Sequence, residues 1–291
     1  MSRTIVFVFA GRQPNIEVAL PYYQRIIDQH PDVELHIWDL ARDPQDSAYL
    51  RTLSDRFTIR TDFYEGTGRA TSGQTQVWKH YATPEYRDTT FVKLDDDVLF
   101  LETDHFDAFV QAAHDNPKHV TAALTINNGA STRHIPDLWD GFQKLRPTIP
   151  SDATYLNAEM ATLLAVHRSP EYAEMCHRWF FDNWRTITGK PTNLIVTDDW
   201  VSINAITYSW EMGCRIAALI GRQHPPRVAG RVFSRRHRVG DEGAANILPR
   251  FIHTGFVAGH LNFGPQVKAM APDLLDELRK HYADIAQQYL A

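Results

Sequence analysis

The sequence predicts an α/β fold: a mostly parallel central sheet flanked by helices, with one more helix closing the chain. Three observations lead there. Ile5-Val6-Phe7-Val8-Phe9 is a continuous β-branched and aromatic run, the pattern of a strand buried on both faces. A helical pattern (Ile16, Leu20, Tyr23, Ile27) and a second strand pattern follow it before Leu40. Strand and helix patterns then keep alternating, which favours crossover connections and parallel strands.

The first strand ends at Gly11-Arg12-Gln13-Pro14. A helix is expected from about Pro14 to Gln29, with Pro21 a candidate for a kink. Val33 to Trp38 reads as the second strand, ending at Asp39. A polar helical stretch, Pro44 to Asp55, leads to a short third strand, Phe57 to Arg60. Glu65 to Gly73 is a loop rich in Gly, Thr and Ser, either flexible or built to close over something. A helix from Gln74 to Tyr81 precedes the strand Thr90 to Leu94, which runs into Asp95-Asp96-Asp97 and then apolar Val98-Leu99-Phe100-Leu101. A helix beginning near Asp104, a strand from Val120 to Ile126 and a turn at Asn127-Asn128-Gly129 come next. Met160 to Val166 reads as a strand and Pro170 to Ile187 as an aromatic-rich helix. Thr197-Asp198-Asp199-Trp200 is expected to open a helix from Val201 to Trp210. After an arginine-rich loop and a glycine-containing stretch from Asp241 to Ala245, Arg250 to His253 reads as a strand. The closing helix carries Leu274, Leu278, Tyr282, Ile285 and Tyr289 on one face, with a mostly acidic opposite face that suits packing rather than a membrane surface.

Composition narrows the classes. The chain has 291 residues, 43% of them hydrophobic and 22% charged, too apolar for disorder. It contains no apolar run of the roughly 18 residues a membrane span needs. Its N-terminus lacks the long apolar core and small-residue cleavage site of a signal peptide. Cys176 and Cys214 lie in apolar or amphipathic stretches and read as buried thiols, so a cytoplasmic location is expected. With no internal repeat or linker, a single domain over residues 1–291 is expected. Charge is uneven. Between Arg222 and Arg238 lie six arginines (Arg222, Arg227, Arg231, Arg235, Arg236, Arg238) and no acid. Without them, 30 basic against 35 acidic residues becomes 24 against 35, and a net charge of −5 becomes −11.

The strongest motif is Asp95-Asp96-Asp97. Ligands of open α/β sheets bind beyond the carboxyl ends of strands. Three carboxylates stacked there repel one another, and a divalent cation relieves that repulsion while holding a diphosphate. The bland alternative is a solvated acidic turn. Alternation would send Asp95 and Asp97 to one side and Asp96 to the other. Thr197-Asp198-Asp199 is either an ordinary helix cap or a carboxylate placed to act as a general base. His253, after a strand, is a core histidine unless it completes a metal shell. Lys93, inside an apolar strand, is expected to meet a carboxylate or a phosphate, since burying it unpaired is costly.

The order of these features (acidic triplet at a strand end, later acidic pair, C-terminal histidine) resembles the GT-A-fold glycosyltransferases, which use nucleotide-sugar donors. The resemblance spans roughly residues 4 to 255 and implies a GT-A-like, Rossmann-type sheet. It implies a donor-binding half at about 1–130 and an acceptor and base half at about 131–291. It also implies Mn²⁺ or Mg²⁺ on Asp95, Asp97 and His253, and a UDP- or GDP-sugar donor. The donor would lie against Gly11, Arg12, Asp39, Lys79, Asp95 and Asp96, with Asp199, beside Asp198, as base of a transfer that inverts the anomeric centre. The acidic pair is Asp-Asp where the family typically has Glu-Asp, and the glycine loop the family often carries between its two acidic motifs is not evident. The arginine segment has three readings: a platform for a polyanionic acceptor such as nucleic acid carrying a hydroxylated base, a loop closing on the donor diphosphate, or a solvated loop. Competing functions are a nucleotidyltransferase of related fold and a non-catalytic sugar-nucleotide or nucleic-acid binding protein.

Overall fold

A computed structural model describes residues 3–63, 70–149 and 158–291. The strands are β1 (Thr4–Ala10), β2 (Val33–Asp39), β3 (Thr58–Arg60), β4 (Thr90–Asp95), β5 (Val98–Leu101), β6 (Val120–Ile126), β7 (Leu194–Val196), β8 (Ala205–Ser209), β9 (Arg227–Val228), β10 (Arg231–Val232) and β11 (Arg250–His260). The helices are α1 (Gln13–Gln29), α2 (Pro44–Thr52), α3 (Ala70–Tyr81), α4 (Phe106–Asp115), α5 (Gly129–Thr132), α6 (Pro136–Leu145), α7 (Ala158–Ala165), α8 (Pro170–Ile187), α9 (Trp210–Leu219), α10 (Asp241–Ile247), α11 (Gly264–Val267) and α12 (Pro272–Leu290). The fold is mixed α/β, a central sheet flanked by helices, with α12 closing the chain.

The central sheet runs β3-β2-β1-β4-β8-β6-β11-β5, with β7 also paired to β11. Four pairings are parallel (β1–β2, β1–β4, β2–β3, β6–β11) and four antiparallel (β4–β8, β6–β8, β5–β11, β7–β11). The sheet is therefore mixed, not mostly parallel as the sequence predicts. The main reason is the stretch after Asp199. Its β-branched and aromatic residues Ile206, Thr207 and Tyr208 form β8, fully buried and inserted antiparallel between β4 and β6. The helix expected at Val201 starts only at Trp210, where the Ser209 hydroxyl accepts from the Met212 N–H at 3.2 Å. The strand expected at Met160 to Val166 is instead helix α7 and a following turn, in keeping with its Met, Ala and Leu content. Helix α1 continues through Pro21. Of the loop expected at Glu65 to Gly73, residues 70–73 belong to α3 and the rest lies outside the described residues.

The chain order forces the sheet to curl. Strands β4 and β5 are four positions apart in the sheet, about 19 Å if it were flat. Yet only Asp96 and Asp97 link them, and three Cα steps reach at most about 11 Å. The outer edge of β11 must therefore swing back toward the end of β4. Strands β1, β2, β4, β6 and β11 all point the same way, so Gly11, Asp39, Asp95, Asn127 and His260 emerge at one edge of the sheet.

Behind that edge the core is closed by α1, α8 and α12. Leu278, Tyr282 and Ile285 of the predicted apolar face of α12 are buried, joined by Leu275 in place of Leu274. His177 of α8 is fully buried and ties these parts together. Its Nε2 lies 2.7 Å from the Leu261 carbonyl and its Nδ1 lies 2.9 Å from the Tyr282 hydroxyl. The carbonyl can only accept, so the neutral ring carries its proton on Nε2. Burial pushes His177 down to about 3. The unfolded chain then binds a proton between about pH 6.5 and 3 that the native state refuses, so this contribution is intact above pH 6.5 and is lost as pH falls. The slope is about 1.4 kcal/mol per pH unit. Denaturant unfolding of wild type and His177→Gln should show the stability gap between them narrowing by about 2 kcal/mol from pH 6.5 to pH 5. An unchanged gap would contradict a neutral buried imidazole.

No helix among the described residues is long and apolar enough to cross a membrane.

Candidate functional site

The acidic triplet occupies the end of β4 and the two-residue turn after it. Because Asp96 and Asp97 lie in a turn, strand alternation does not separate them. Both accept from the same arginine. The Arg12 guanidinium donates to Asp96 Oδ1 through Nε at 3.0 Å and through a second, shorter contact, and to Asp97 Oδ2 at 2.8 Å. The Gly11 N–H donates to Asp96 Oδ2 at 2.9 Å. A side chain at Gly11 would come within 3.1 Å of the Ala41 backbone, so the close approach of this turn to the strand end after β2 favours glycine. Asp95 pairs with Lys93, whose buried ammonium lies 2.6 Å from Asp95 Oδ1 and donates to the Ile203 carbonyl at 2.7 Å. The expectation that Lys93 meets a carboxylate holds. Burial pushes Asp95 and Asp96 upward, against the pull of Lys93 and Arg12 respectively. Burial acts the same way on Asp97, but Arg12 and His260 overcome it and hold that carboxyl below the usual range.

The histidine beside the triplet is His260, not His253. Strand β11 continues seven residues past the predicted end, but a bulge between His253 and Val257 absorbs part of that length, so measured along β6 the two histidines stand about four residues, roughly 13 Å, apart. His253 is buried inside the sheet, its Nδ1 accepting from the Phe256 N–H at 2.9 Å and its ring edge-on to Phe109. His260, at the strand's carboxyl end, places Nε2 3.5 Å from Asp97 Oδ1. That separation is too long for a good hydrogen bond, and among the described residues the buried Asp97 Oδ1 has none. The Leu261 N–H donates to the Asp97 carbonyl at 2.8 Å and fixes the two segments together.

This pair decides how well a divalent cation suits the site. Among the described residues no group of three or more His, Cys, Asp or Glu side chains converges as a metal site. An orphaned carboxylate oxygen facing an imidazole nitrogen is nevertheless a suitable pair of donors. Mg²⁺-type sites commonly use one or two protein ligands and take the rest from water and phosphate. Asp97 and His260 fit such an ion. Asp95, expected as a ligand, has one oxygen held by Lys93.

The other predicted donor contacts separate. Asp39 is fully buried and satisfied locally, accepting from the Ala41 N–H at 3.1 Å and the Ser47 hydroxyl at 2.5 Å, so it braces α2. Lys79 is exposed on α3, with no ion pair to the triplet among the described residues. Its neighbour Trp78 faces inward and donates to Asp241 at 3.3 Å.

Next to the triplet lies a cavity of about 330 Å³ whose lining includes Asp199, Trp200, Ser202, Arg231, Glu242 and Phe263. Phe263 packs edge-on against His260 at 4.5 Å, which joins cavity and triplet. Its segment is held by Gln266, which exchanges hydrogen bonds with Asn127 at 3.0 and 3.1 Å. Asp198 is exposed and Asp199 half-buried, and neither opens a helix. The Asp199 carboxylate stands 3.4 Å from Arg133, and its carbonyl accepts from Arg250 at 2.9 Å. Glu242, in the first turn of α10, accepts from the Trp200 indole N–H. Burial raises its carboxyl despite the pull of that hydrogen bond.

The arginine segment is an ordered hairpin, not a long loop. Residues 221 and 239, 222 and 239, and 224 and 237 are joined by backbone hydrogen bonds, and β9 pairs with β10. Its two-residue turn, Ala229-Gly230, has positive φ at both positions (46° and 77°), as hairpins with right-handed twist require. The arginines divide. Arg222, Arg227, Arg235, Arg236 and Arg238 are exposed, whereas Arg231 turns into the cavity over Trp200, 4.4 Å from the ring centroid.

Sequence reasoning missed Glu242 and passed over His260. The second was legible, because Phe251 to Leu261 carries strand-forming residues well past His253. The signal for Glu242 was weaker: Asp-Glu-Gly at a helix start. A side chain at Gly243 would meet the His224 ring at 2.9 Å and push it aside. No protein-family model matches the chain, and no curated protein matches it significantly.

Proposed function

We propose that this chain is a glycosyltransferase with a GT-A-like, Rossmann-type arrangement, moving a sugar from a nucleoside-diphosphate sugar to an acceptor hydroxyl. The observation that carries this reading is the pairing of Asp97 with His260 across 3.5 Å at the carboxyl edge of the sheet, beside a carboxylate-lined cavity. Asp97 and His260 would hold Mn²⁺ or Mg²⁺, which when bound supplies Lewis-acid stabilisation of the departing diphosphate. Arg12 holds Asp96 and Asp97 in place, and Lys93 does the same for Asp95. The cavity receives sugar and acceptor, its aromatic and apolar walls excluding water and its carboxylates positioned to activate a hydroxyl in an inverting displacement. The exposed arginines of the hairpin, with Arg231 reaching into the cavity, support a polyanionic acceptor such as nucleic acid bearing a hydroxylated base.

A thermal-shift panel of UDP- and GDP-sugars, each with and without Mn²⁺, tests the reading. The expected result is a rise in melting temperature for one nucleotide class, larger with Mn²⁺, together with release of nucleoside diphosphate. Formation of nucleoside triphosphate and sugar 1-phosphate when pyrophosphate is added would point to nucleotidyl transfer. Binding without any turnover would point to a non-catalytic binding protein.

A further inference from the structure

We infer that Glu242, rather than Asp199, takes the proton from the attacking hydroxyl in this cavity. The inference rests on the glycosyltransferase reading and deepens it by assigning the base. Asp199 is the residue that motif order suggests, but its anchored oxygen faces the Arg133 guanidinium at 3.4 Å whereas that of Glu242 meets a neutral indole, and a carboxylate beside a cation is the poorer proton acceptor. Glu242 lines the same cavity and is oriented differently. One of its oxygens accepts from the Trp200 indole, and the other takes no hydrogen bond among the described residues. A carboxylate with one oxygen anchored and one open is the geometry a general base needs.

Its position also connects the two parts of the site. Glu242 follows Asp241, which receives the Trp78 indole and adds its charge to the field at Asp95. Glu242 in turn feels Asp241, Arg231 and Lys93, the last of which is the partner of Asp95. Asp199 and His167 line the same cavity, and His224 packs behind Gly243. Glu242 thus stands between the diphosphate end, at the triplet, and the open cavity. Burial raises its affinity for a proton, which suits a group that must accept one near neutral pH. In the step, the acceptor oxygen forms a bond to the anomeric carbon and its proton passes to Glu242. The bond from the anomeric carbon to the donor phosphate oxygen breaks, and its electron pair leaves with the nucleoside diphosphate.

The test uses the full chain with UDP- and GDP-sugars, Mn²⁺ and water as the acceptor, following nucleoside diphosphate release against pH. Glu242→Gln retains an acceptor for the Trp200 N–H. It is expected to lower the rate by at least about a hundredfold and to erase the acidic limb of the profile, while donor-induced thermal stabilisation stays at the wild-type level. Asp199→Asn is expected to retain that limb. Trp200→Phe removes the hydrogen bond that favours ionised Glu242, so the limb should move to higher pH, and this second variant keeps the test open if Glu242→Gln fails to fold. Loss of the limb in Asp199→Asn with its survival in Glu242→Gln overturns the assignment, as does an unmoved limb in Trp200→Phe. A wild-type chain that neither binds nor cleaves any nucleotide-sugar fails the glycosyltransferase reading itself, and the base assignment falls with it.

Discussion

Replacing Arg12 with alanine is expected to destabilise the protein by about 3 kcal/mol, the lower end of the cost of breaking a buried ion pair. Asp96 and Asp97 keep only 6% and 12% of their side-chain surface, and the Arg12 guanidinium is the cation they share. Without it, two neighbouring carboxylates are left buried with no shared cation, with the Gly11 N–H and the more distant His260 as their remaining support among the described residues. The Arg12 side chain is 43% exposed, so water partly fills its place, which is why the lower end of the range applies. Urea unfolding measures the loss. Millimolar Mn²⁺ should recover part of it in Arg12→Ala if a cation settles beside Asp97. A loss below about 1 kcal/mol would mean that water already reaches both carboxylates, since exposed pairs are worth no more than that.

Asp97→Ala should have the largest effect on function: a fall of about a thousandfold in nucleotide-sugar turnover, equivalent to about 4 kcal/mol of transition-state stabilisation. Stabilisation of the protein by Mn²⁺ with donor should disappear with it. The two histidines sharpen the test. His260→Ala should weaken the Mn²⁺ dependence, because its Nε2 faces Asp97 at 3.5 Å. His253→Ala should lower stability but leave the Mn²⁺ titration of the folded protein unchanged, since its ring is packed against Phe109 inside the sheet. A Mn²⁺ response lost in His253→Ala and kept in His260→Ala would reverse the assignment.

Much of the architecture was readable from local pattern. The buried strands β1, β4 and β6 and the aromatic helix α8 announce themselves through runs of apolar residues or helical spacing. Lys93 was legible as a buried charge in need of a partner, because an ammonium in an apolar strand has no other stable arrangement. The failures have separate causes. Residues 201–209 have a composition that permits either helix or strand, and the gap between β4 and β6 decides in favour of β8. The arginine segment looked like a loop because its charges hide the pairing of its backbone, and a left-handed Ala229 is not a turn signal that composition provides.

The sequence by itself determined that three carboxylates would sit beyond a buried strand, and that such a cluster demands cations. Only the tertiary structure decided which cations and which histidine. Arg12 comes from the turn after the neighbouring parallel strand β1 and Lys93 from the same strand as Asp95, two residues before it. His260 arrives because the two-residue link from β4 to β5 forces the sheet to curl, carrying the far end of β11 back to the triplet. Local periodicity encodes the strands, but curvature arises from constraints between residues far apart in the chain, and these local sequence pattern does not encode.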